Sequence, residues 1–335
     1  MLRLTLLLLG LFTLIGLVWH IGPSLILDAA VGLGPAALLV ILLPSLLMYA
    51  LEALGWRITL GRHAAAVTFW RLFAIRTAGE VVNMTTPTAY AGGEPLKAYL
   101  LKRHAVPMVD GLASVVTAKT TMTIAEVAFI LLGVGLAFRS LGASGASDRT
   151  VLAASVSVGL LLVATAIFVA LQHRGLFTGL LGVLRRCRIR IAFLEAREDK
   201  LRALDRTILE FYTRDRRGFL VSTGMFFLGW LAEALEVYVI IYYLGGPADL
   251  LTAVSIGALS VFIKGGTFFI PGSLGAQDGG NLLLLTVFGY SEVTGITFAL
   301  LRRFRELVWI AIGLLCLAAM GGRERLGQVE DGRES

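Results

Sequence analysis

Charge is scarce in this sequence. Asp, Glu, Lys and Arg make up 16% of its 335 residues, where an ordinary soluble domain carries about 25%. Hydrophobic residues reach 57% and the mean hydropathy is +0.81. Such a chain cannot clothe itself in polar side chains, so lipid must be the solvent for much of it. Cysteine is scarcer still. Cys187 and Cys316 are the only two, too few and too far apart for a disulfide framework or a metal site. Histidine is limited to His20, His63, His104 and His173, all near the ends of apolar runs. There is no Walker loop, no His-Glu-x-x-His, no Gly-x-Ser-x-Gly and no Cys/His cluster. These absences argue against ATP-driven pumping, zinc-dependent hydrolysis and serine-hydrolase chemistry. No cofactor, no metal and no enzymatic activity are expected, and no soluble domain is predicted after residue 320.

What is present is a series of apolar runs, at 4–21, 34–55, 107–138, 150–171, 219–244, 250–270, 272–289 and 293–320. At roughly 20 residues per span, they predict an all-α polytopic membrane protein of about eight transmembrane helices. The first run follows Arg3 like a secretory signal, but no small-residue cleavage pattern succeeds it. It is read as a retained helix.

Lys and Arg placement sets the expected orientation. The segments 22–33 and 245–249 contain neither and are predicted external, with 139–149. The segment 56–106, the stretch 172–218 and the tail 321–335 carry the cations and are predicted cytoplasmic. Eight crossings with both termini inside satisfy every segment. The expected location is a cytoplasmic membrane, crossed several times.

The formal net charge is +7, and most of it lies in 172–218, where eleven Arg and one Lys face six acidic residues. A basic loop beside anionic headgroups explains this better than nucleic acid does, so no nucleic-acid partner is expected. Within it Leu201, Leu204, Ile208 and Phe211 share one helical face. That helix either lies in the headgroup plane or packs on the ends of the bundle.

Two stretches are too broken for simple spans. The first, 77–101, contains Glu80, Asn83, Pro87, Gly92, Gly93, Glu94 and Lys97. It is too polar for a continuous span and too poor in charge for an ordinary loop. Broken backbone survives at membrane depth only when buried in protein or facing a wet cavity, so a re-entrant hairpin is predicted; a structured cytoplasmic loop is the alternative. The second runs from Lys264 through Pro271, Gly272 and Gly275 to Asp278. Pro87 precedes Glu94 by seven residues, as Pro271 precedes Asp278. Lys119 follows Glu94 at the same spacing as Arg303 follows Asp278, and acids follow at Glu126 and Glu306. This suggests an internal repeat of undetermined sense, with the interrupted segments marking a substrate pathway. Glu233, Glu236, Arg302 and Arg305 add further ionisable groups inside apolar runs. Each would be costly in hydrocarbon unless paired or facing water.

Gly79-Glu80-Val81-Val82-Asn83, Thr86-Pro87, Gly92-Gly93-Glu94-Pro95-Leu96-Lys97-Ala98 and Pro271-Gly272-Ser273-Leu274-Gly275 together resemble the flippase-like membrane domain of lysylphosphatidylglycerol synthases. The resemblance extends over about 5–320. The family's second motif usually ends in Glu, and this chain has Asp278 instead. The resemblance implies movement of lipid between leaflets without lipid synthesis, in a stand-alone protein similar to hopanoid-associated members. It implies anionic, amino-acylated or isoprenoid membrane lipids as partners, and allows a homodimer or association with lipid-biosynthetic enzymes. The competing readings are a secondary transporter of a small anionic solute, a lipid-modifying membrane enzyme, and a scaffold for a biosynthetic complex.

Overall fold

The computed structural model describes residues 22–85, 92–141, 175–186, 198–267 and 275–331, with isolated positions at 19, within 159–170 and at 273. Its helices are α1 (Pro23–Thr59), α2 (Phe69–Thr85), α3 (Gly93–Lys102), α4 (Met108–Leu141), α5 (Leu176–Arg186), α6 (Glu198–Arg214), α7 (Arg216–Tyr243), α8 (Leu250–Gly266), α9 (Ala276–Val287) and α10 (Glu292–Asp331). A short 3-10 turn at Gly61–Ala65 joins α1 to the segment before α2. Among the described residues there is no strand.

Among the described residues, three stretches are long and apolar enough to cross a membrane: Val31–Thr59, Met108–Arg139 and Arg216–Tyr243. Their outward faces carry large apolar side chains, among them Leu39 and Leu43 on α1 and Leu220 and Leu228 on α7. An all-round apolar helix needs lipid or protein on every side. By contrast α3 and α9 have 10 and 12 residues, about 15 and 18 Å at 1.5 Å per residue. Neither reaches across a hydrocarbon layer of about 30 Å alone. The run expected as a span at 272–289 is therefore a short helix over its described part.

Several boundaries differ from those read in the sequence. The segment 22–33, expected as an open loop, is helical and forms the start of α1. Pro23 opens it, where a missing N–H costs nothing. Asp28, its single charge, does not prevent a helix. The chain instead bends at Gly34 (φ 79°, ψ 161°): Pro35 disfavours helical geometry in the residue before it, and glycine tolerates the positive φ. The basic stretch 172–218 contains α5 and α6, and the expected tail begins as a continuation of α10 to Asp331. The first predicted span, 4–21, lies outside the described residues apart from Trp19. So does most of 150–171, whose described positions are helical.

Small residues set the central crossing. Ser222 Oγ donates to the Gly55 carbonyl at 3.0 Å. A Cβ added to Gly55 would meet the Phe226 ring at 2.9 Å, and one on Gly229 would lie 3.3 Å from Glu52 Cγ. Gly55 thus faces the start of α7 while Glu52 faces a residue further along it, so α1 and α7 run antiparallel. Such close approach is how membrane helices gain packing without a hydrophobic driving force between them. Several other pairings are reciprocal. Helix α2 packs on α10 as α8 packs on α4, α3 lies against α4 as α9 lies against α10, and α4 touches α7 as α10 touches α1.

Of the two readings of the basic amphipathic helix, the structure shows packing on the bundle. Leu204 and Ile208 of α6 are buried against Ala113 at the start of α4, with Val109, Leu112 and Phe177 around them. The buried Asp205 accepts hydrogen bonds from the backbone N–H groups of Phe177 (3.0 Å) and Thr178 (2.8 Å) and from the Thr178 hydroxyl (2.7 Å). It thereby satisfies orphan donors at the first turn of α5. Removing an N-terminal cap costs about 1–2 kcal/mol. Asp205→Ala is expected to accelerate backbone hydrogen exchange across Leu176–Arg186 about five- to thirtyfold, leaving α7 unchanged, as read by mass spectrometry on the purified protein.

Candidate functional site

The first broken segment folds back on itself as the hairpin α2–α3, and Asn83 is its hub. The Asn83 Oδ1 accepts the Gly93 N–H at 2.7 Å. Its Nδ2 donates to Glu94 Oε1 at 3.2 Å and to Glu80 Oε2 at 3.4 Å. Lys97 Nζ lies 3.0 Å from Glu94 Oε2 and 3.7 Å from Glu80 Oε2. Glycine is required where the arms cross: a Cβ on Gly93 would sit 2.0 Å from the Gly79 carbonyl oxygen. Glu94 occupies the first turn of α3, where the partial positive charge of the helix end favours a carboxylate.

The second hairpin, α8–α9, is tied by Ser260 Oγ donating to Asn281 Oδ1 at 2.7 Å. Asp278, in the first turn of α9, accepts the Gly275 N–H at 3.0 Å. Arg303 grips the same carboxylate with two bonds, Nε to Oδ1 at 2.7 Å and Nη2 to Oδ2 at 2.9 Å. Arg303 Nη1 continues to Glu306 Oε2 at 2.6 Å, and Lys264 lies 3.8 Å from the other Glu306 oxygen.

The two hairpins are alike in placement and unlike in pairing. Asp278 and Arg303, 25 residues apart, form an ion pair, whereas Glu94 and Lys119 at the same spacing form none. Lys97, one helical turn from Glu94, takes its place, and Lys119 is left facing open space.

That space is a cavity of about 210 Å³ lined by α1, α2, α4, α7, α8 and α10. Glu80, Lys119, Glu126, Lys264 and Glu306 line it, all expected from the sequence. A small recess beside it shares Glu80 and Lys119 and adds Glu94 and Lys97. Asn83, Gly92, Gly93, Gly275, Asp278 and Arg303 line neither; they shape the hairpins behind it. Pro87, Pro271 and Gly272 lie outside the described residues.

The sequence reading missed the cavity's wall on α1 and α2. Glu52 and Arg76 are buried and ion-paired there. The Arg76 guanidinium also lies over the Tyr49 ring, 4.5 Å from its centroid. Tyr49 in turn stacks on Trp309 at 4.1 Å, and Trp309 Nε1 donates to Ser45 Oγ at 2.9 Å. The available signal was the isolated Glu52 inside the run 34–55, an ionisable residue in an apolar segment. On the opposite side Arg302 pairs with Glu233, and Arg305 Nη1 donates to Glu236 Oε2 at 2.9 Å. Among the described residues, Lys119 and Glu126 are the two charged groups on this cavity with no hydrogen bond or ion pair.

A family model described as the lysylphosphatidylglycerol synthase TM region matches residues 2–313. The chain belongs to this family. The resemblance carried by the Gly-Gly-Glu-Pro and Pro-Gly-Ser-Leu-Gly blocks is thus borne out over nearly the whole chain. A relative described as a UPF0104 membrane protein, from Methanothermobacter thermautotrophicus, is 26% identical over 307 residues, covering 86% of each chain. No solved structure matches. As a member of the family, the chain is a multi-pass membrane protein with a role connected to membrane lipid.

The glycine contact supplies a direct check on the hairpin. Overpacking a tight site costs about 1–3 kcal/mol. Gly93→Ala is expected to lower the thermal midpoint of the detergent-solubilised protein by several degrees. Gly266→Ala, with open space around it, is expected to leave the midpoint within error.

Proposed function

We propose that the chain moves a lipid or lipid-linked molecule between leaflets, passing its polar headgroup through the cavity while the acyl chains stay in lipid. One observation carries this reading: Lys119 and Glu126, with no ion pair or hydrogen bond, face a cavity inside a membrane protein whose lining carries several charged side chains. A charge at the bilayer centre costs at least about 2.5–3.5 kcal/mol. Two charges left without partners, among so many that are paired, suit a cavity that receives a polar ligand. Lys119 and Lys264 offer cations to a phosphate, and Glu126 and Glu80 offer carboxylates to an amine or hydroxyl.

The reciprocal helix pairings support a duplicated unit, with α1–α4 corresponding to α7–α10. One constant shift in numbering carries Glu52 to Glu236, Pro87 to Pro271, Glu94 to Asp278 and Lys119 to Arg303. Because α1 and α7 run antiparallel, the two units have inverted topology, a known transporter design with its site at the repeat interface. In this reading the α2–α3 and α8–α9 hairpins are re-entrant, so the runs at 250–270 and 272–289 do not cross as two separate spans, and both termini remain cytoplasmic. No catalytic step is assigned to the chain.

The test is translocation of fluorescent phospholipid in proteoliposomes. Lys119→Ala, Glu126→Gln and Glu94→Gln are each expected to slow it at least tenfold, about 1.4 kcal/mol of barrier, with folding retained. Arg206→Ala, on the exposed face of α6, serves as the control. Rates equal to the parent protein's in all three variants would remove the site. Uptake of a water-soluble anion without lipid movement would favour the solute-transport reading instead.

A further inference from the structure

The two halves of the molecule hold matching carboxylates in different ways. Asp278, in the first turn of α9, is closed onto Arg303 of α10. Its counterpart Glu94, in the first turn of α3, is held by Lys97 of its own helix. Lys119, the counterpart of Arg303, stays apart on α4. The position matching Lys97 in the second half is Asn281. Its side chain accepts from Ser260 Oγ at 2.7 Å and carries no charge to compete with Arg303. The gap between Glu94 and Lys119 is narrow. Both line one recess of about 30 Å³, together with Glu80 and Lys97, which leaves room for a water or two.

One half is closed onto its crossing helix, and the other has the same groups in place and unjoined. Building on the inverted-repeat reading, in which the two halves exchange conformations around a fixed site, we propose that the hairpins alternate. When the cavity faces the other side of the membrane, Glu94 leaves Lys97 and closes on Lys119, while Asp278 releases Arg303. The structure already holds a second partner for each group that this exchange sets free. Lys97 Nζ lies 3.7 Å from Glu80 Oε2. Arg303 Nη1 donates to Glu306 Oε2 at 2.6 Å. Asp278 accepts the Gly275 N–H at 3.0 Å, and its side chain is 32% exposed, so solvent can take over from the guanidinium. One ion pair replaces another and no charge is stranded in the bundle, which keeps the two states close in free energy. Glu94 and Lys119 together form the contact that closes one face of the cavity.

The experiment reads which side of the membrane the cavity faces. Met122 lines both the cavity and the recess. It is replaced by Cys in the full-length protein carrying Cys187→Ser and Cys316→Ser, reconstituted in vesicles with one orientation. A membrane-impermeant maleimide is supplied from outside or trapped within. Asp278→Asn cuts the closed pair and is expected to shift the ratio of the two labelling rates toward the other side about tenfold. Lys97→Met removes the present partner of Glu94; it is expected to shift the ratio in the same direction, and it keeps the test available if Asp278→Asn does not fold. Adding Lys119→Met to either variant is expected to abolish the shift. An unchanged ratio in either folded variant, or a shift that survives Lys119→Met, would overturn the proposal. Labelling does not depend on lipid movement. A shift without translocation keeps the alternation and removes the transport reading, and translocation with an unchanged ratio does the reverse.

Discussion

The structure depends on the cost of charge in a medium that cannot solvate it. Buried ionisable groups gather on the inner faces of α1, α2, α4, α7, α8 and α10, and nearly all are paired. Glu52 holds Arg76, Glu233 holds Arg302, Glu236 holds Arg305, and Asp278 and Glu306 hold Arg303. Each pair is the alternative to an isolated charge, which is far more costly than the pair itself. The pairs also tie element to element: α1 to α2, α7 to α10, and α9 to α10. In a bundle whose outer surfaces are as apolar as lipid, such contacts and small-residue crossings specify which helix lies beside which.

Against that background the pairing at the two hairpins is informative. Both place a carboxylate in the first turn of a short helix. The first carboxylate is answered from its own helix by Lys97, so the cation further along the chain is released to the cavity. The second is answered by Arg303, whose fork uses both Asp278 oxygens. The shorter Asp side chain and the longer, forked Arg make a closed contact, and this half contributes Lys264 and Glu306 to the cavity in place of its hairpin acid.

Much of this was legible in the residues. The apolar run at 107–138 became α4 and that at 219–244 became α7, because a long helix in lipid leaves an unbroken hydropathy signal. The glycine and proline clusters marked both hairpins for the same reason in reverse. The shared spacing of Glu94 to Lys119 and Asp278 to Arg303 was visible, but not that only the second pair meets, because spacing fixes distance along the chain and not which of two lysines a carboxylate reaches first. Asp28 and the absence of cations suggested a loop at 22–33; only the local geometry of Gly34 and Pro35 shows a bent helix. Glu52 and Arg76 were single letters in apolar surroundings, and their partnership exists only once α1 and α2 are side by side. The packing of Leu204 and Ile208 was equally hidden, since an amphipathic stripe reads the same against lipid or protein.

The contrast between the hairpins also bears on how this chain tolerates change. Glu80, Glu94 and Lys97, joined through Asn83, form a closed ring in which loss of one carboxylate still leaves the lysine an acid. Asp278, Arg303, Glu306 and Lys264 form an open line in which each link is made once. A ring absorbs single substitutions, whereas a line fails at the link that is cut. The fold around Glu94 is therefore buffered against a single substitution by the local network, while around Asp278 any change must be matched at Arg303. Asp278 thus fits a position whose side-chain length is matched to its forked partner.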